Sequence, residues 1–314
     1  MGSPAASDGS DATVRPRVEP ENREGRNMGQ MPIARRRLIA LTGGLVSFVA
    51  TAALADETTL EKARRQGYIN VGFANEVPYG YVTPDGKLTG ESPEVVRAVL
   101  KEIGIPQIHG VLTEFGSLIP GLQAHRFDII AAGMFITPPR CRQVQFSEPT
   151  YAIGEALLVK KGNPENLHDF ASIAANPKLK LAVESGAIES TYATQSGVKL
   201  GQLVILPDQP SLVSAVQSGR ADAAALTSLS IGEMASKNTG VEATPSFYTV
   251  AGKKVVGYGG VAFRKQDKSL YEAFNAALEK FIGSPEHIAL VTPFGFGKGF
   301  LPGKVTTAEI CAGQ

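Results

Sequence analysis

The sequence predicts an α/β protein of two lobes, each a mostly parallel sheet flanked by helices, joined by two hinge strands. Three observations carry this reading. Short β-rich runs alternate with segments of helical periodicity after residue 60, and strand, helix, strand is the unit of a parallel sheet. The alternation falls into two series, divided at a turn-rich stretch around Tyr151. A last strand and helix after residue 256 then resume the first series, so the chain must pass between the lobes twice.

Residues 1–30 are polar, rich in Gly, Ser, Pro and Arg and without apolar periodicity, and are expected to form a disordered extension. Arg35, Arg36 and Arg37 precede the apolar run LIALTGGLVSFVATAALA, which ends in Ala53-Leu54-Ala55 before Asp56. Residues 31–55 therefore read as a secretory signal peptide cleaved after Ala55, with Sec and twin-arginine export both open. Thr42, Gly43, Gly44, Ser47 and Thr51 dilute the run, which argues against a membrane anchor. Export leaves roughly 260 residues, enough for two medium lobes.

Within the exported part, INVGFA (69–74) is the first strand. The helix SPEVVRAVLKEIG (92–104) follows, with Ser92 as N-cap, Pro93 at the first helical position and Gly104 as its end. IHGVLT (108–113), a helix near 117–126 and FDIIAAGM (127–134) complete the first series. GEALLVKKG (154–162) opens the second, followed by a strand at 179–186, a helix around IESTYATQS and a strand at 202–207. A helix at 211–220 and a strand at 221–226 close it. GYGGVAFRK (257–265) reads as one strand, and 269–283 as a helix with Leu270, Phe274, Ala277, Leu278 and Phe281 at helical spacing. The expected divisions are residues 56–152 and 252–314 for lobe 1 and 153–251 for lobe 2, with crossings near Thr150–Gly154 and Tyr248–Lys253. LIPGLQAHRFDIIAAG and LVSAVQSGRADAAAL echo each other, as though each lobe carried the same helix-turn-strand element.

Composition narrows the function. With 31 Lys and Arg against 30 Asp and Glu, the chain offers no basic excess for nucleic acid. The four histidines are scattered without ligand spacing, so no metal site is expected, and no pattern calls for a cofactor. Cys141 and Cys311 most simply form one disulfide in an oxidising compartment, two buried thiols being the alternative. Glu76 and Glu184 could serve as an acid or base, but neither has an evident partner, and no Ser-His-Asp or Cys-His arrangement stands out. A binding protein is expected rather than an enzyme.

The segments GFANEVPYGYVTPDGKLTGESPEVVRAVLKEIG, FGSLIPGLQAHRFDIIAAGMFITPPRCRQVQFSEPTY, GEALLVKKGNPENLHDF, VQSGRADAAAL and YGGVAFRK carry a resemblance over residues 60–300. The chain resembles the polar amino-acid family of periplasmic solute-binding proteins, which deliver ligands to ABC importers. Within that family it is most similar to the members that bind ectoine and hydroxyectoine, on Glu76, Tyr79, Phe115, Phe135 and Arg140 with the TPPRC and EICAG stretches. The resemblance implies a type II periplasmic-binding-protein fold, a monomer in the periplasm, a small-molecule ligand and an ABC permease as partner.

It also implies a site. Arg140 stands where the family grips a ligand carboxylate, and a guanidinium offers a planar fork of donors that stays charged. Tyr79, Phe115 and Phe135 would supply aromatic faces for a flat cation, beside Gly133. Ectoine is a cyclic amidinium bearing a carboxylate, so Glu76 would meet its ring N–H groups. Ser185, Gly186, Ala187 and Ile188 would present backbone N–H groups at a helix start to the carboxylate. Thr227 departs from the family pattern. Many amino-acid binders carry an Asp there for the α-ammonium, and an unpaired buried ammonium is costly. The loss favours a compatible solute over the alternative of glutamine or histidine; a periplasmic dehydratase-like enzyme on the same fold is the remaining alternative.

Overall fold

The computed structural model describes residues 57–313, so the expected extension and signal peptide lie outside the described residues. Two five-stranded sheets organise the chain. In the first, the order is Gln107–Leu112, Tyr68–Phe73, Ile129–Ile130, Ala262–Phe263, Gln145–Phe146. In the second it is Leu203–Leu206, Leu181–Glu184, Ala223–Thr227, Glu155–Lys160, Val241–Ala243. In each sheet four strands run the same way and one, Ala262–Phe263 in the first and Glu155–Lys160 in the second, runs antiparallel to both its neighbours, so both sheets are mixed. The fold is α/β as expected.

The central strands are apolar on both faces because helices cover both. Ile69 and Val71 face one core with Val96, Leu100, Phe274 and Leu278 from the helices Glu91–Glu102 and Lys268–Phe281. On the other side of the same sheet, Leu118, Leu122, Phe127 and Ile130 form a second core. The second sheet repeats the arrangement, with Leu158, Ala224 and Leu226 on one face and Leu157, Val183 and Ala225 on the other.

Three local expectations are corrected. Ser92 does not cap its helix: the N-cap lies two residues earlier, at Gly90 with φ 121°, and the helix is Glu91–Glu102. The free amides of Glu91 and Ser92 donate to the carbonyls of Pro78 and Tyr79 (3.0 and 2.9 Å), so the loop backbone replaces a side-chain cap. A Cβ at residue 90 would lie 2.6 Å from the Tyr79 carbonyl oxygen, which restricts the position to glycine.

GYGGVAFRK is two strands. Gly257–Gly259 pairs antiparallel with Tyr151–Ile153, whereas Ala262–Phe263 belongs to the first sheet. The Phe135 ring occupies the space a Cβ at Gly257 would need, so the run bends around that side chain.

The second crossing also lies later than expected. Thr249–Val250 and Lys253–Lys254 form a hairpin, and Val250 and Val255 pack in the second sheet's core. Tyr258 already packs in the first sheet's core, so the chain returns between Val255 and Tyr258. The Tyr151–Ile153 and Gly257–Gly259 ladder is thus the pair of connecting strands. Cys141, ending the short helix Pro138–Cys141, and Cys311, in the helix Thr307–Ala312, are joined in a disulfide with Cα atoms 5.8 Å apart.

Candidate functional site

The C-terminal ends of the parallel strands of both sheets point at one small cavity of about 20 Å³. From the first sheet come Glu76, Phe115, Gly133, Phe135 and Arg140, in the loops after the three parallel strands. Ala187, Ile188 and Glu189, after Leu181–Glu184, and Leu226 and Thr227, ending Ala223–Thr227, come from the second. Strand ends of this kind are where open α/β sheets bind ligands, because no side chains of the sheet itself occupy the crevice.

Arg140 is held rigidly. Thr137 caps the turn, its Oγ1 accepting from the Arg140 amide at 3.5 Å, and Pro138 presets the first helical φ. The residue is 9% exposed, and its guanidinium lies 5.4 Å from the Phe115 ring centroid. Nη1 donates to the Phe135 carbonyl at 2.8 Å and Nη2 to the Gly186 carbonyl at 3.0 Å. Two carbonyls therefore orient the fork while leaving other donors for a ligand. Burial pushes the guanidinium pKa down, opposed first by Glu189.

Two buried carboxyls, Glu76 and Glu189, line the cavity with Arg140, and two more, Glu155 and Glu184, are buried in the second sheet behind them. Glu76 accepts from Ser230 Oγ at 3.0 Å, and its backbone exchanges hydrogen bonds with Gly80. Burial, then the neighbouring Glu189, pushes its pKa up to about 8. Burial raises Glu189 to about 7 and, with Glu76 and Glu189 adding repulsion, Glu184 to about 10. Glu155 rises well above the usual range through burial and Glu189. One oxygen each of Glu155, Glu184 and Glu189 has no hydrogen-bond partner among the described residues.

Not every expected residue meets the cavity. Phe115, Gly133, Phe135, Arg140, Glu76, Ala187, Ile188 and Thr227 line it; Tyr79, Ser185 and Gly186 do not. Tyr79 is 1% exposed, donates to Thr227 Oγ1 at 2.9 Å, and packs against Tyr151 and Phe296 with centroids 5.3 and 5.4 Å away. It braces the wall rather than offering a face. At the expected anion-binding turn the Ser185 amide is committed to Leu206 and that of Ala187 to Glu184, and Gly186 turns its carbonyl to Arg140, while the Gly186 and Ile188 amides have no acceptor among the described residues.

The sequence reading missed Glu189, Glu155, Leu226 and Ser230. Glu189 immediately follows Ile188 in a turn already singled out, so its position was a usable signal. Glu155 and Ser230 carry none, because their neighbourhood is set by pairing across the second sheet.

Buried carboxyls with raised pKa values bind protons in the folded state that the unfolded chain releases. Glu76, Glu91, Glu184 and Glu189, all raised, with Glu155, therefore stabilise the ligand-free protein below their unfolded pKa values near 4.5. That stability is lost as pH rises through their folded values of about 7 to about 10. The melting temperature of the ligand-free protein is expected to fall between pH 6 and pH 9 in thermal unfolding monitored by circular dichroism; a rise over that range would contradict the burial of these groups.

Comparison with known proteins gives the family. Residues 69–295 match the bacterial extracellular solute-binding proteins, family 3. The chain is similar to a probable amino-acid ABC transporter periplasmic-binding protein of Sinorhizobium fredii, 37% identical over 87% of this chain and 93% of that one. Among solved structures it is similar to EhuB in complex with hydroxyectoine, with a TM-score of 0.76, 36% identity, and coverage of 83% of this chain and 100% of that one. An ancestral amino-acid-binding protein, a precursor of cyclohexadienyl dehydratase, is similar at a TM-score of 0.65 and 27% identity, covering 76% of this chain and 99% of that one. With its two mixed sheets and a cleft at their strand ends, the chain belongs to the extracellular solute-binding proteins of family 3, the periplasmic ligand-capturing components of ABC importers.

Proposed function

We propose that the cleft captures ectoine or hydroxyectoine and hands it to an ABC permease, without chemistry. The observation that carries this reading is the meeting of Arg140, Glu76 and the Phe115 and Phe135 rings on one buried cavity, with Thr227 in place of an acid. The ligand carboxylate would pair with Arg140, and the amidinium would lie between Glu76 and the aromatic faces. Similarity to a protein solved with hydroxyectoine supports the same ligand class.

Capture proceeds by closure. The chain on either side of the connecting ladder forms two lobes, 57–152 with the residues from 257 onward, and 153–256 between them. A ligand touching side chains from both sheets favours the shut arrangement, and water exclusion strengthens its charged contacts. The protein acts as a monomer in the periplasm, exported with cleavage after Ala55.

A second reading, a basic amino acid, is favoured by the excess of buried carboxyls over Arg140. Relatives named for arginine and histidine lend it support. Thr227 weighs against it. Calorimetric titration with ectoine, hydroxyectoine, glycine betaine, glutamine, histidine and arginine tests the choice. The two ectoines are expected to bind most tightly; tighter binding of an unmodified amino acid would overturn the reading.

A further inference from the structure

The loop after the first strand is gripped from the second lobe at a residue that the ligand cavity does not use. Val77 follows Glu76, and neither its N–H nor its carbonyl has a backbone partner among the described residues. Its own lobe braces the loop on either side: Glu76 and Gly80 exchange backbone hydrogen bonds, and the Pro78 carbonyl accepts from the Glu91 amide. Gln209 meets both free groups, its Oε1 accepting from the Val77 N–H at 3.3 Å and its Nε2 donating to the Val77 carbonyl at 3.0 Å. Ser230 Oγ lies 3.1 Å from the same carbonyl and 3.0 Å from Glu76 Oε1.

We propose that Gln209 is a clamp: its carboxamide closes on Val77 when the lobes meet, holds them shut without touching the ligand, and directs the Ser230 hydroxyl to Glu76. This inference rests on the reading of the cleft as a ligand site that shuts by lobe closure.

The placement of Gln209 suits that role. It opens the helix Gln209–Ser218, whose start is fixed by Asp208, which accepts from the Ser211 amide at 2.9 Å, and by Pro210 in the first turn. The residue is 8% exposed, and neither it nor Val77 lines the cavity. A planar carboxamide carries an acceptor beside a donor, so it pairs with both backbone groups of one residue as an antiparallel strand would. When the lobes part, the same groups turn to water, and the net gain on closure is that of ordinary neutral hydrogen bonds. That gain is the same for every ligand. Ser230, fully buried, has one hydroxyl proton for two acceptors. With Gln209 Nε2 on the Val77 carbonyl, that proton goes to Glu76 and orients its carboxyl at the cavity wall.

Calorimetric titration of the parent and Gln209→Ala with ectoine, hydroxyectoine and arginine tests the clamp. Each compound that binds the parent is expected to lose about tenfold in affinity, with the ratios between compounds kept. Unchanged affinities, or a loss confined to one of several binding compounds, overturn the proposal. Gln209→Glu separates clamping from a role in the helix. It keeps the side-chain length and sets a favourable charge at the helix N-terminus, but presents two acceptors to Val77 and no donor for its carbonyl. At pH 8 the melting temperature of the ligand-free protein is expected to hold while affinity falls at least as far as in Gln209→Ala; affinity that follows the melting temperature instead would make Gln209 a helix residue only. Amide hydrogen exchange at Val77, with and without the compounds, gives a readout independent of which one binds. Faster exchange is expected in Gln209→Ala, and equal exchange in both conditions refutes the clamp. If ectoine fails to bind while arginine binds and weakens in the variant, the ligand reading falls and the clamp stands.

Discussion

Arg140→Ala is expected to lower ligand affinity by about two to three orders of magnitude in calorimetric titration. Removing one partner of a buried, hydrogen-bonded ion pair costs roughly 3–5 kcal/mol, because the other charge is left buried without compensation. Here the ligand carboxylate would face the buried carboxyls of Glu76 and Glu189 with no cation beside them. The same change frees the Phe135 and Gly186 carbonyls, so the bridge between the two sheets' loops is lost as well. Arg140→Lys separates the two contributions. It keeps the charge but loses the planar fork, and an intermediate affinity is expected. Affinity unchanged in Arg140→Ala would remove the guanidinium from the site.

The second large effect concerns the disulfide. Replacing Cys141 and Cys311 with serine is expected to destabilise the protein by about 2–5 kcal/mol, since the bridge closes a long loop. The sequence separation of 170 residues places it among long-loop bridges, where the unfolded chain gains most freedom on its removal. For a domain of this size the melting temperature should fall by roughly 5–15 °C. Cys141 ends the helix that carries Arg140, so ligand affinity is expected to fall too, though less than in Arg140→Ala. A melting temperature unaffected by reduction or by the double substitution would show that the C-terminal helix Thr307–Ala312 is held by packing alone.

Much of the architecture was legible because it rests on local patterns. The central strand Leu181–Glu184 is apolar up to its last residue, and Asp208 and Gly219 mark the two ends of the helix Gln209–Ser218 by capping chemistry. Where tertiary backbone contacts replaced those local devices, the reading slipped. Ser92 has the right chemistry for an N-cap, yet the carbonyls of Pro78 and Tyr79 take the helix amides and Gly90 starts the helix. The Gly257–Phe263 stretch has strand composition throughout, but a ring from a distant loop divides it.

The cleft shows the same division. Arg140, Glu76, Phe115 and Phe135 were visible as motif residues, and they do meet. The resemblance gives Tyr79 a ligand-facing ring, whereas its burial, its packing on Tyr151 and Phe296 and its hydrogen bond to Thr227 set it in the wall. Glu155 opens one neighbour of the strand Ala223–Thr227 and Glu189 follows the other, so they are brought to one end of the sheet by strand pairing, a relation that no spacing rule encodes.

The most direct measurement of the central claim is a crystal structure of the protein with ectoine. The account predicts the ligand carboxylate within hydrogen-bonding distance of the Arg140 guanidinium and its ring between Phe115 and Phe135, with Glu76 on the amidinium side. A ligand bound away from Arg140, or with its carboxylate turned toward Glu76, would contradict it.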